Sequence, residues 1–183
     1  MSLTPSVMLP LGTIAPGFSL PDINSKMVSL EDFKNIKAYL IAFICVHCPY
    51  VKHIEDEFAL LATEYQKKGV VVIAINSNDP NYDSADDLEG MKNQIVKHNF
   101  DFPYLIDETQ EVARSYQAAC TPDFYLFNKD KKLAYRGRFD RTRPGLGRPS
   151  GIDLKRALDA VLNGQTVPEN QKPSIGCNIK WKD

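Results

Sequence analysis

Residues 38–49 read Ala38-Tyr39-Leu40-Ile41-Ala42-Phe43-Ile44-Cys45-Val46-His47-Cys48-Pro49, an unbroken apolar run that ends on a Cys-x-x-Cys pair. A short apolar run stopped this sharply predicts a buried strand. Immediately downstream, Val51, Ile54, Phe58, Leu61 and Tyr65 recur three and four apart, with Lys52, Glu55, Asp56 and Glu57 between them. That period predicts an amphipathic helix over about 48–67, with Pro49 in the first turn, where its missing N–H and fixed φ cost little. The two thiols therefore fall where a strand hands over to a helix. Unpaired N–H groups and the positive end of the helix dipole favour an anion there, so a thiolate forms more easily than in a loop. The placement points to redox chemistry.

Working outward, Gly69 and the β-branched run 70–75 complete a strand–helix–strand unit whose composition implies parallel, buried strands. Upstream, Phe18 and Leu20, a polar turn at 22–26, the stretch 27–30 and Asp32-Phe33 predict a hairpin within residues 11–35. Downstream, a loop rich in Asn and Asp spans 76–83, with Ser84 as the expected N-cap of a helix whose inner face is Leu88, Met91 and Ile95. An extended stretch at 102–106 follows. Asp107 and Gln110 then have capping-box spacing for a helix carrying Val112, Ala113 and Tyr116. Residues 124–127 and 133–139, joined by a polar turn, predict a second hairpin, and Leu154, Leu158, Val161 and Leu162 mark a last helix stopped by Gly164. The tail 164–183 alternates Ile175, Cys177, Ile179 and Trp181 against Gly176, Asn178, Lys180 and Lys182. One apolar face implies docking on the body or on a second subunit, which would make a homodimer.

At 183 residues the chain is expected to form one domain, 1–183, large enough to bury a core without disulfide or metal staples. A net charge of −1 with interspersed signs argues against nucleic acid or a membrane surface as partner. No apolar stretch approaches the ~20 residues of a membrane span, and residues 1–10 lack the basic and uninterrupted apolar regions of a signal peptide. The expectation is a cytoplasmic protein, in which four cysteines are poor candidates for a structural framework.

The pieces Ala15-Pro16-x-Phe18-x-Leu20-Pro21-Asp22, Leu30-x-Asp32-Phe33, Cys45-Val46-His47-Cys48 and Thr121-Pro122 resemble the redoxin group of the thioredoxin superfamily. The stretches 48–52 and 173–181 are similar to its peroxiredoxin-related thioredoxin-like members. The resemblance implies an α/β thioredoxin-like fold: a central mixed sheet flanked by helices, an N-terminal hairpin, and an insertion between the second strand of the parallel unit and a cis-proline. It implies a thiol-disulfide oxidoreductase without a cofactor, in which the more exposed Cys45 attacks a partner disulfide and Cys48 resolves the mixed disulfide. Thr121-Pro122 would be the cis-proline element, offering backbone hydrogen bonds to an incoming peptide. Cys120, two residues before the proline, is either an accessory thiol or a small buried hydrophobe. Ile44 stands where thioredoxins carry a tryptophan, so partner recognition is expected to differ.

His47, between the cysteines, is a candidate to stabilise the thiolate as an imidazolium. Cys177 is a candidate third thiol, against the plainer reading of a packed side chain. A peroxidase remains an alternative, with Cys48 attacking peroxide and Cys45 resolving. In the peroxiredoxin pattern Pro-x-x-x-Thr-x-x-Cys, however, Ile41 replaces the proline and Cys45 the threonine. A copper or other metal module with Cys45, Cys48 and His47 or His53 as ligands is the third option, although half a zinc site without a second Cys-x-x-Cys is a weak signal. Arg136, Arg138, Arg141, Arg143 and Arg148 crowd the end of the second hairpin and the loop after it. That loop is expected to reach the dithiol and either receive an acidic partner, lend an arginine to a thiolate, or remain a solvated basic loop.

Overall fold

The computed structural model describes residues 3–182. In chain order it contains β1 (Leu3–Pro5), β2 (Ser19–Pro21), β3 (Met27–Ser29), β4 (Ala38–Phe43), α1 (Pro49–Gln66), β5 (Val70–Asn76) and α2 (Leu88–His98). There follow β6 (Tyr104–Ile106), α3 (Glu111–Ser115), β7 (Cys120–Thr121), β8 (Asp123–Asn128), β9 (Leu133–Gly137), α4 (Ile152–Leu162) and β10 (Ile175–Asn178). The central sheet has the order β6-β5-β4-β8-β9. β4, β5 and β6 run parallel, while β8 is antiparallel to β4 and β9 to β8. The hairpin β2-β3 forms a separate two-stranded sheet, bridged at Asp22 to Leu105 of β6, and β10 lies between β1 and β7 in a small third sheet.

All six residues of β4 are buried, which is why this segment reads as a continuous apolar run rather than an alternation: both faces of the sheet are covered. Leu40 and Ala42 point into a core closed by Phe58 of α1 and Leu158 of α4, where Phe58 meets Phe100, Phe102, Phe124 and Phe139 edge-on or tilted. Tyr39, Ile41 and Phe43 point into a second core under β2-β3 and α3, centred on Tyr116 against Phe43, Tyr125 and Phe127. Two packed faces hold β4 rigidly. Its C-terminal end, where the chain turns into α1, is therefore a fixed platform.

Several local expectations change. The N-cap of α2 is Asp87, which accepts from Gly90 N–H, while Asp83 caps the preceding 3₁₀ turn that contains Ser84. A carboxylate at each turn start displaces the serine. Leu88 is 43% exposed, so the inner face of α2 rests on Met91 and Gln94, with Ile95 partly buried against the core as expected. The N-cap of α3 is Gln110, in left-handed conformation and without a side-chain cap bond, rather than Asp107, whose carboxylate instead accepts from Val112 and Ala113 N–H, so the expected box does not form. The Gln110 side chain is committed elsewhere, donating to the carbonyls of Ser77 and Lys180. The tail docks on the body, yet its alternation fails: Cys177, Ile179 and Lys180 are buried, and Ile175 and Trp181 are exposed. Pairing on both edges of β10 replaces a single apolar face as the reason it docks. Trp181 instead lies against the Arg114 guanidinium, 4.5 Å from the ring centroid.

Candidate active site

Ile44 N–H still donates to Ile75 O, prolonging the β4 ladder by one residue before the chain leaves the sheet at Cys45. Cys48 is the N-cap of α1 in extended conformation, Pro49 follows at the first helical position, and Lys52 N–H closes the first turn on Cys48 O. Cys48 thus occupies the N-terminus of α1, the position at which the helix dipole favours an anion, although its sulfur makes no cap hydrogen bond. Thr121-Pro122 is cis and faces it. Cys45 Sγ lies 3.2 Å from Thr121 Oγ1, and the Cys48 thiol reaches Thr121 O at 3.2 Å.

Both sulfurs are wholly buried, so Cys45 is not the more exposed thiol. Ionisation is also favoured at the other atom. Hydrogen bonding from the Cys45 thiol, opposed by burial and reinforced by Cys177 and Val51 N–H, pulls Cys48 well below the ordinary thiol range. Burial, the neighbouring Cys48 and the Asp86 carboxylate hold Cys45 well above it. The surroundings thus favour ionisation at Cys48 over Cys45.

His47 is not a free imidazolium beside the sulfur. Its Nδ1 lies 2.6 Å from Asp86 Oδ2 and 3.8 Å from Cys45 Sγ. Asp86 raises the His47 pKa, and the positive charge so favoured is largely spent on that carboxylate. Burial works to raise the Asp86 pKa, but His47, Asn78 and backbone N–H donors more than offset it. Val46 and His47 N–H both donate to Asp86 Oδ1, so this one side chain fixes the Cys-x-x-Cys backbone from a loop 40 residues away. Asp86→Asn is expected to drop the His47 pKa, since burial alone lowers it. Two-dimensional NMR titration should place wild-type His47 above 6.5 and the variant at or below it. A raised histidine pKa contributes stability in full below the unfolded value of about 6.5, lost as pH rises through the folded value. An unchanged titration in the variant would show that Asp86 is not the cause.

Asp86 and Gln94 escape the sequence reading. Gln94 Nε2 donates to Cys45 O and to Glu55 Oε1, and Glu55 in turn pairs with His98. Nothing distinguishes Asp86 in sequence from Asp79, Asp83 and Asp87 beside it; only its burial does.

Among the described residues, Cys45, His47 and Asp86 offer ligand atoms within 4.8 Å of one another and could hold a metal ion. Cys48 and His53 do not join this set. His53 Nε2 lies 3.0 Å from Thr142 Oγ1. Cys120 is buried, donates weakly to Pro122 O at 3.8 Å, and burial pushes its thiol far up, so it behaves as a small packed side chain. The peptide edge expected at Thr121 is already occupied, because Cys177 and Asn178 pair with Thr121 and Cys120. The basic loop reaches the site's rim: Arg138, Arg141 and Arg143 line a crevice with Tyr50, His53 and Pro122. Arg136 and Arg138 are committed to Gln171 and Asp153, and Arg148 is exposed, so these three serve the loop and not the sulfurs.

A cysteine pair at a strand-to-helix junction, facing a cis X-Pro bond on a β6-β5-β4-β8-β9 sheet, defines a thioredoxin-like redoxin. A family model described as the AhpC/TSA family matches residues 11–136, and the chain belongs to that family. It is 52% identical to an uncharacterized conserved protein from Geobacillus kaustophilus, whose crystal structure superposes with TM-score 0.95 over 100% of this chain and 97% of that one. It is 26% identical over 136 residues to the thiol-disulfide oxidoreductase ResA of Bacillus thuringiensis, covering 74% of each chain. The thioredoxin domain of a thiol-disulfide oxidoreductase from Bacteroides vulgatus shares the fold, with TM-score 0.62 and 20% identity over 82% of this chain and 99% of that one. No helix among the described residues is long and apolar enough to cross a membrane.

Proposed function

We propose that this redoxin is a thiol-disulfide oxidoreductase whose working pair is Cys45 and Cys48, acting on protein thiols and disulfides without a cofactor. The observation that carries the reading is the Cys45–Cys48 pair where β4 hands over to α1, with Cys48 at the helix N-cap and both sulfurs beside the cis Thr121-Pro122 element. The likeness to ResA supports the same class.

In this reading the nucleophile is Cys48, the reverse of the order the resemblance implies, because the surroundings lower the Cys48 pKa and raise that of Cys45. The Cys48 thiolate attacks one sulfur of a partner disulfide, the partner's S–S bond breaks, and the departing partner sulfur takes the electron pair and a proton. Cys45, losing its proton, then attacks Cys48. A Cys45–Cys48 disulfide forms and the second partner thiol leaves. The partner gains two electrons and the dithiol loses two.

The lowered Cys48 pKa also favours the peroxidase reading, in which the Cys48 thiolate would attack one peroxide oxygen, break the O–O bond and release the other oxygen as water. Against it, Cys45 supplies a thiol where a peroxide-positioning hydroxyl is expected, and Ile41 is buried within β4. Turnover of insulin disulfides and of hydrogen peroxide, each driven by dithiothreitol, separates the two. Disulfide reduction well above the dithiothreitol background is expected. Peroxide consumption alone would move the assignment to a peroxidase, and neither activity would reject both.

A further inference from the structure

β10 is anchored along its whole length. Leu3 and Thr121 flank Cys177 on its two edges. Ser174 exchanges backbone hydrogen bonds with Ser6 and its hydroxyl, Ile179 N–H reaches Ala119 O, and Lys180 N–H and C=O are taken by Asn78 and by Asp79 and Gln110. The approach is so close that a Cβ on Gly176 would stand 2.0 Å from Thr121 O, so only glycine lets the strand lie across the cis-proline element. This frame delivers Cys177 Sγ to 2.8 Å from Cys48 Sγ.

We propose that Cys177 is a third redox thiol of this centre, forming a reversible disulfide with Cys48 and turning the Cys-x-x-Cys pair into a three-sulfur relay. The inference rests on the exchange chemistry of Cys45 and Cys48, and extends it to a residue 129 positions downstream. Starting from a Cys45–Cys48 disulfide, Cys177 gives up its proton and attacks Cys48 Sγ. The Cys48–Cys177 bond forms, the Cys45–Cys48 bond breaks, and Cys45 takes the electron pair and a proton. No net oxidation occurs in that step. Starting from a mixed disulfide at Cys48, the same attack expels the partner as a thiol, and two protein thiols are oxidised as the partner disulfide is reduced.

The electrostatics order these events. In the reduced centre, burial and the Cys48 thiolate beside it push the Cys177 thiol up to about 12. Once Cys48 is in a disulfide that negative neighbour is gone. Lys180, which favours the Cys177 thiolate, then acts unopposed by Cys48. Cys177 becomes a better nucleophile at the moment an electrophilic sulfur stands beside it.

The test uses the full chain, reduced and then exposed to oxidised glutathione, with acid quenching, alkylation and peptide mass mapping. In Cys45→Ser, glutathione is expected to leave and a Cys48–Cys177-linked peptide to appear. Its glutathione adduct should be shorter-lived than that of Cys45→Ser/Cys177→Ser by about tenfold or more. A Cys45→Ser protein that keeps glutathione on Cys48 while Cys177 remains alkylatable overturns the inference. Cys177→Ser probes the other reading by itself: a Cys45–Cys48 link there sustains the dithiol assignment, and its absence overturns that assignment without touching the Cys48–Cys177 result. If circular dichroism shows that Cys45→Ser has lost its fold, Cys45→Ala provides the same readout.

Discussion

Cys48→Ser is expected to reduce insulin-disulfide turnover to the dithiothreitol background, a loss on the order of 10³-fold or more in second-order rate constant. The size of the effect follows from what the helix terminus stabilises. Cys45, Cys177 and Val51 N–H lower the pKa of the Cys48 thiol against the opposing effect of burial, which favours the nucleophilic anion. A serine hydroxyl in the same cradle stays protonated near neutral pH and cannot be expelled again from a mixed species as a thiolate is. Cys45→Ser should differ in kind: the first attack survives, and turnover stops at resolution or passes to Cys177. Single-turnover mixing followed by thiol counting distinguishes the cases. A Cys48→Ser protein retaining more than a small fraction of wild-type turnover would shift the nucleophile to Cys45 and return the order that the resemblance implies.

The second large effect is on stability and comes from the residue after the cis-proline. Asp123 is fully buried on β8, where Ser6 and Tyr125 hydroxyls donate to its two oxygens. Burial outweighs these donors and pushes the carboxyl up to about 7. Between about pH 4 and 7 the unfolded chain has released this proton and the folded chain has kept it, so stability falls as pH rises. The decline is about 1.4 kcal/mol per pH unit, about 4 kcal/mol in all. Asp123→Asn removes the titration while keeping the shape. Urea unfolding at several pH values should give the variant a flatter profile over this range and a relative gain above pH 7. Parallel profiles for the two proteins would exclude Asp123 as the source.

The helix and sheet framework was legible because its signals are local. Five apolar residues at helical spacing name α1, an unbroken apolar run names β4, and Gly164 with φ +67 closes α4 as expected. The errors are equally instructive. Ser84 and Gln110 have the right chemistry for caps, but Asp83 and Asp87 outcompete one, and the C-terminal tail recruits the other through Lys180 O. The alternation in the tail misled because a strand paired on both edges buries its backbone whichever side chains it carries.

The order of residues alone determined that two thiols stand at a strand-to-helix junction, since strand, break and helix are written within some thirty consecutive positions. Tertiary structure decided what surrounds each sulfur and so which of the two is favoured to ionise. Asp86, Thr121 and Cys177 come from three distant segments, and each acts on the dithiol through distances of a few ångströms that no spacing rule encodes. Electrostatics and sulfur exchange depend on separation in space and on burial, and those quantities come into existence only when the sheet brings the segments together.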